Sequence, residues 1–326
     1  MQTEICTSVL RVNDAPALPY ELSVNPYRGC AHSCVFCPTA PQPAAQRAIV
    51  AQLAASTPSI DSARRTADTV VSRIELEHAL ATGAATPAVP EPSGAVATTC
   101  ITVHAKRNVA DRLRQELRRP GYRPRPLCLG AAADVYQPAE RQQRLTRAVL
   151  AVLVEAAHPV GLTTRSVGVV RDVDLLVALS ARGLALVLIS LASSDPWLSE
   201  HLEPGASAPA QRLAALRSLA RAGVWAGLQL APLVPGVNDG EQVETLIAMA
   251  AQAGARCVRW QAATPSPGGA ACGDAAWRAS LDQRIRSAAG QAGLSCELPA
   301  LDCSQFHPPQ GPDEHRDRPP AQKLLF

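Results

Sequence analysis

Between residues 101 and 261 the chain repeats one pattern, and that repeat constrains the fold more than any other feature. Short apolar runs at Ile101–Ala105, Leu127–Gly130, Val160–Thr164, Leu184–Leu191, Trp225–Ala231 and Arg256–Gln261 read as strands. Between them, apolar residues recur every third or fourth position, as on a helix with one buried face. The first such stretch is Val109–Arg119, which ends before Pro120 because proline disfavours helical backbone in the residue ahead of it. Leu145, Val149, Val152, Leu153 and Ala156 share a face in the second, and Val173, Leu176 and Leu179 in the third. Leu213, Leu216, Leu219 and Ala220 mark a fourth, stopped at Gly223; Val243, Leu246, Ile247 and Ala250 mark a fifth, ending at Gly254. Leu184–Leu191 is apolar except for Ser190, as in a strand covered on both faces. Alternating strands and helices imply right-handed βαβ units and a parallel sheet. Functional residues in such sheets gather at the carboxyl ends of the strands. One earlier extended segment, Glu21–Asn25, reads as the first strand.

At the end of that strand stands Asn25-Pro-Tyr-Arg-Gly-Cys30-Ala-His-Ser-Cys34-Val-Phe-Cys37. Three cysteines this close bring their sulfurs to one metal centre. Four thiolates would suggest a closed structural site, whereas three leave a coordination position open. Gly29 lets the backbone turn sharply into the loop, and Pro26 stiffens the approach. Two readings fit the loop alone: an iron–sulfur cluster with an open position, or a zinc ion with His32 as fourth ligand.

The spacing, with Phe36 before the last cysteine, resembles the signature of the radical S-adenosylmethionine superfamily. Further stretches resemble its spore photoproduct lyase-like, or DNA repair photolyase-like, branch over roughly Tyr20 to Gln261. They are Leu129-Gly-Ala-Ala-Ala-Asp134-Val-Tyr136-Gln137-Pro138-Ala-Glu140, then Thr164-Arg165-Ser166 with Arg171-Asp172. Leu202-Glu203-Pro204-Gly205 with Pro209 and Arg212 follows, and last Ala231-Pro232-Leu-Val-Pro235-Gly236-Val-Asn238-Asp239. The resemblance implies a partial (β/α)6 TIM-like radical SAM barrel, α/β in class, with a helical insertion and a short C-terminal extension. It implies a [4Fe-4S] cluster on Cys30, Cys34 and Cys37, with the fourth iron chelated by S-adenosylmethionine. One electron passed to the sulfonium would release a 5′-deoxyadenosyl radical that takes hydrogen from a substrate, so the hard chemistry is the cofactor's. It further implies cofactor binding by Phe36, near the adenine; Asp134; Arg165, at the carboxylate in place of the usual lysine; Ser190; and Arg212, with Glu203 in the same polar layer. The implied partners are a flavodoxin- or ferredoxin-type electron donor and an unidentified substrate, nucleic acid being one candidate.

This chain departs from the branch in places. Thr-Asn-Thr of the relatives is Ala131-Ala132-Ala133 here, and Ala131 stands where the photoproduct lyase has its hydrogen-donor cysteine. A nucleic-acid repair enzyme of the photolyase-like kind is therefore kept as an alternative. A non-enzyme that retains the cluster as a structural or binding element is a third reading. Cys257, Cys272, Cys296 and Cys303, with His307, are widely and irregularly spaced, and offer an auxiliary cluster only if the fold brings them together.

Ten cysteines in 326 residues do not form a small secreted disulfide scaffold, and clustered free thiols fit a reducing cytosol. No basic-then-apolar leader or bilayer-spanning apolar run is evident, so a cytoplasmic location is expected. Net charge of +3 is too mild to argue for nucleic acid by itself. Richness in Ala, Arg and Pro suggests a GC-rich bacterial genome. The expected organisation is a lead-in over 1–20, a barrel over 21–262 with an insertion at 38–99, a C-terminal cap over 263–306, and a disordered tail over 307–326. Within the insertion, helices are expected at Ala44–Ala55 and Asp61–Ala81, and a further helix at Ala275–Ala292. The tail ends Gln322-Lys-Leu-Leu325-Phe326, which resembles peptides that bind the bacterial replication sliding clamp.

Overall fold

The computed structural model describes residues 1–13, 20–37, 102–263 and 273–310. Its strands are β1 (Gln2–Glu4), β2 (Arg11–Val12), β3 (Leu22–Val24), β4 (Tyr27–Arg28), β5 (His104–Lys106), β6 (Leu127–Leu129), β7 (Val160–Thr164), β8 (Ala185–Leu191), β9 (Ala226–Leu233) and β10 (Val258–Ala262). The larger sheet runs β10-β9-β8-β7-β6-β3-β2. Every neighbouring pair from β3 to β10 is parallel, and only β2 is antiparallel, at the edge. Six parallel strands in sequence order form the expected partial (β/α)6 barrel.

The helices are α1 (Val109–Leu117), α2 (Glu140–Gln143), α3 (Leu145–Glu155), α4 (Val173–Ser180), α5 (Pro196–Leu202), α6 (Pro209–Arg221), α7 (Gln242–Gln252) and α8 (Ala275–Gln291), with a 3₁₀ turn over Val167–Asp172. Side chains alternate across a strand, and β8 shows how the two faces are used. Ala185, Val187, Ile189 and Leu191 join the main core with the helices, whereas Leu186 and Leu188 pack on the inner face with Cys128 and Cys257. Gly227 fits this inner layer because a β-carbon there would stand 2.4 Å from Cys257 Sγ. Among the described residues, no helix is long and apolar enough to cross a membrane.

Three expectations need correction or extension. The strand expected at Ile101–Ala105 is His104–Lys106, and it belongs to a separate sheet, β1-β5-β4. Its pattern explains this: Val103 and Ala105 are buried while His104 and Lys106 are partly exposed, as in a strand covered on one face only. Within the expected lead-in, Gln2–Glu4 and Arg11–Val12 are strands, too short for any periodicity to show. Helix α5 went unread although Asp195-Pro196 is a start signal: the Asp195 carboxylate accepts from Trp197 N at 2.9 Å, and proline occupies the first turn. Beyond β10, α8 matches the expected helix and is tied to α7 by Arg284, which reaches Glu244 at 2.8 Å. The insertion helices, Cys272 and the Gln322–Phe326 segment lie outside the described residues.

Candidate functional site

The cysteine loop leaves the carboxyl end of the sheet. After β3 the chain makes β4, turns at Gly29 with a φ of 79°, and enters the loop. Buried side chains hold the loop from below. Gln137, with 0% exposure, accepts from Ala31 N at 3.0 Å and donates from Nε2 to Gly29 O at 3.0 Å. One amide therefore brackets Cys30. The Tyr27 hydroxyl donates to the buried Glu140 carboxylate, which also accepts from Thr146 N and from Arg171.

The other side of the loop rests on the segment after α5. Gly205 N donates to His32 O at 2.9 Å, and Val35 N to Leu202 O at 3.0 Å. A β-carbon on Gly205 would lie 2.6 Å from Ala31 O and 2.7 Å from His32 Cα, so only glycine permits this approach. Cys34, Val35 and Phe36 pack with Leu198, Leu202, Val234 and Val237 in an apolar cluster of their own.

A buried polar chain runs beside the loop across the adjacent strand ends. Asp134 accepts from Thr164 Oγ1 and Arg165 N, both at 2.7 Å, and from Tyr136 N at 2.8 Å, and His32 Nδ1 lies 3.4 Å from it. Burial lowers the His32 pKa, with Arg165 and Arg212 adding to that and Asp134 opposing it. The Arg165 guanidinium donates from Nε to Glu203 at 2.6 Å and lies 5.6 Å from the Phe36 ring centre. The second Glu203 oxygen faces Arg212 Nη1 at 2.6 Å. Arg212 is wholly buried and also donates to Ser190 O and Ser199 Oγ, each at 2.7 Å. The Ser190 hydroxyl donates to Ala231 O at 3.2 Å. Asn238 joins the ends of β8 and β9 by donating to Ala192 O and Pro232 O.

These residues suit a metal centre. Burial pushes the Cys30 thiol up to about 11, with Asp134 adding to it, and raises Cys34 well above the thiol range, with Arg165 opposing. Such thiols stay protonated at neutral pH unless a metal exchanges for the protons. Among the described residues, no three His, Cys, Asp or Glu side chains converge on a single ion. In a cubane each thiolate binds its own iron, so the three need not share a point.

The fold thus brings Cys30, Cys34, Cys37, Phe36, Asp134, Arg165, Ser190 and Arg212 to one end of the sheet. Gln137, Glu140 and Gly205 stand within the sequence motifs, but no role for any of them was legible there. Ala132 N, in the alanine run, donates to Asn25 Oδ1 at 2.9 Å. Cys128 and Cys257 face the barrel interior. His307 N instead bonds Ala156 O, past the end of α3.

No known protein-family profile matches the chain. Uncharacterized proteins of Mycobacterium tuberculosis and Mycobacterium bovis are 29% identical over 253 residues, 77% of this chain and 61% of theirs. The chain therefore spans 61% of the length of these curated relatives. Among solved structures, a point mutant of spore photoproduct lyase superposes with a TM-score of 0.54 at 13% identity, covering 90% of this chain and 80% of that one. A second mutant of the same protein gives 0.52 at 12% identity, covering 88% and 80%. The chain has the fold of spore photoproduct lyase.

Proposed function

We propose that the chain is a radical S-adenosylmethionine enzyme, with a [4Fe-4S] cluster held by Cys30, Cys34 and Cys37. The observation that carries this reading is a three-thiol loop gripped by Gln137 and Gly205 at the carboxyl end of a parallel barrel sheet. When bound, the cluster and cofactor supply one-electron reductive cleavage of a sulfonium. The protein's part is to bind, orient and exclude water. Gln137 and Gly205 fix the loop; Phe36 and Arg165 stand together beside it. Arg165 offers a guanidinium edge to the cofactor's carboxylate, while Glu203 orients that side chain and Arg212 holds Glu203. Asp134 and Ser190 complete the polar layer. The electron comes from a flavodoxin- or ferredoxin-type donor.

The shared fold with spore photoproduct lyase favours a second, narrower reading, a substrate derived from nucleic acid. Ala131–Ala133 supply no side-chain donor there, so the route of hydrogen return differs from that enzyme's. The test of the main reading is metal analysis after anaerobic purification and reconstitution. About four irons per chain and a brown chromophore are expected; stoichiometric zinc without colour would overturn it.

A further inference from the structure

Beyond Ser190, the inner face of the barrel carries polar groups that the loop and its supports do not use. Register identifies them. Ser190 on β8 pairs with Gln229 on β9, and Gln229 pairs with Arg259 on β10. Paired residues in a parallel sheet share a face, and side chains alternate along a strand. Leu186 and Leu188 belong to the inner cluster, so Ser190, Gln229 and Arg259 form the next inward row toward the carboxyl ends. Cys257, two residues before Arg259, lies in the same inner cluster, which fits this parity.

Gln229 is 1% exposed, yet its Oε1 is buried with no hydrogen-bond partner. Turning the amide over would only exchange the orphan acceptor for an orphan donor. On β7, Thr163 pairs with Leu188 on this face, and its Oγ1 is likewise buried and unpartnered. Arg259 is partly buried. Among the described residues it makes no hydrogen bond or ion pair, and its charge falls on the Tyr20 hydroxyl and the Cys257 thiol. A buried orphan acceptor costs about 1–3 kcal/mol, and a half-buried cation without an anion is also unfavourable. Buried polar groups without a protein partner are commonly met by ordered water, an ion or a ligand.

We propose that Gln229 and Arg259, with Thr163, anchor a substrate that carries an anionic oxygen group beside an N–H or O–H donor. The anion, a phosphate or a carboxylate, meets the Arg259 fork; the donor meets the Gln229 carbonyl. This rests on the barrel being the reaction site, and it gives the substrate's chemical class. Leu186, Leu188 and Cys257 form an apolar layer below the row.

The experiment uses the full reconstituted chain and two matched probe pairs in calorimetric titrations. Uridine 5′-monophosphate against uridine reads phosphate; orotate against uracil reads carboxylate. The charged member of at least one pair should bind about tenfold or more tightly than its neutral partner. Arg259→Gln should erase that advantage, and Gln229→Leu should weaken the probe while raising the melting temperature. A purely structural glutamine would lower the melting temperature when replaced. No preference for either charged probe, a preference that survives Arg259→Gln, or a Gln229→Leu chain that melts lower would each overturn the proposal. Metal analysis of the wild-type chain judges the cluster separately. If no cluster assembles, the functional reading falls while the probe and melting data still decide this one.

Discussion

Gly205 N lies 2.9 Å from the carbonyl oxygen of His32, and no side chain fits at Gly205. The cysteine loop and the segment after α5 are therefore one packed unit. Gly205→Ala should push Ala31 and His32 away, costing about 1–3 kcal/mol as overpacking and leaving the reconstituted chain with less than the wild-type iron content. Normal iron and an unchanged melting temperature would show that the contact tolerates a methyl group.

Gln137 brackets Cys30 from both sides. Gln137→Leu keeps the volume but strands Gly29 O and Ala31 N, each at about 1–3 kcal/mol. Iron loss to a chelator should be faster than in wild type. Gln137→Glu keeps the acceptor for Ala31 N but places a carboxylate against Gly29 O, so it should be no better a clamp than the native amide. Identical iron-release rates in all three chains would remove Gln137 from the support of the loop.

Arg165→Ala should weaken S-adenosylmethionine binding without removing the cluster, because the charge serves the cofactor's carboxylate rather than iron. Loss of a charge-assisted pair costs on the order of 2–4 kcal/mol, on the order of 30–1,000-fold in Kd. Arg165→Lys should fall between, since it keeps the charge and loses the fork. Equal affinities in all three chains would exclude Arg165 from the cofactor site.

How much of this was legible in sequence depended on the kind of signal. β8 was plain, because the unbroken apolar run from Leu184 to Ile189 admits few alternatives. β5 was legible as a strand but not as a member of another sheet, since that choice rests on its pairing with Tyr27–Arg28 and Gln2–Glu4. Helix α5 spans seven residues, too few for periodicity, and only Asp195-Pro196 announced it. The cysteines were visible by spacing alone. Gln137 and Gly205 act through distances of about 3 Å to residues far away in the chain, which no local pattern encodes. Gln229 looked like an ordinary polar residue in an apolar strand until the register showed its face.

His158 gives the fold a pH dependence away from the site. It is fully buried, its Nδ1–H donates to Pro159 O, and its Nε2 accepts from Tyr122 at 2.8 Å. Burial lowers its pKa to about 4, with the Pro159 carbonyl opposing. The folded chain thus resists a proton that the unfolded chain takes up below about 6.5. Stability from this group is full above that pH and falls as pH drops toward 4, by on the order of 3 kcal/mol. Urea midpoints should decline less over that range in His158→Gln than in wild type. Parallel declines would assign the effect elsewhere.

The central claim is that Cys30, Cys34 and Cys37 hold a cluster that cleaves S-adenosylmethionine. The most direct measurement is 5′-deoxyadenosine formed by the anaerobically reconstituted chain with dithionite as reductant, beside the three single alanine variants. Product is expected from the wild-type chain and none above background from Cys30→Ala, Cys34→Ala or Cys37→Ala. A wild-type chain with its full complement of iron and no 5′-deoxyadenosine, or any alanine variant that matches it, would contradict the account.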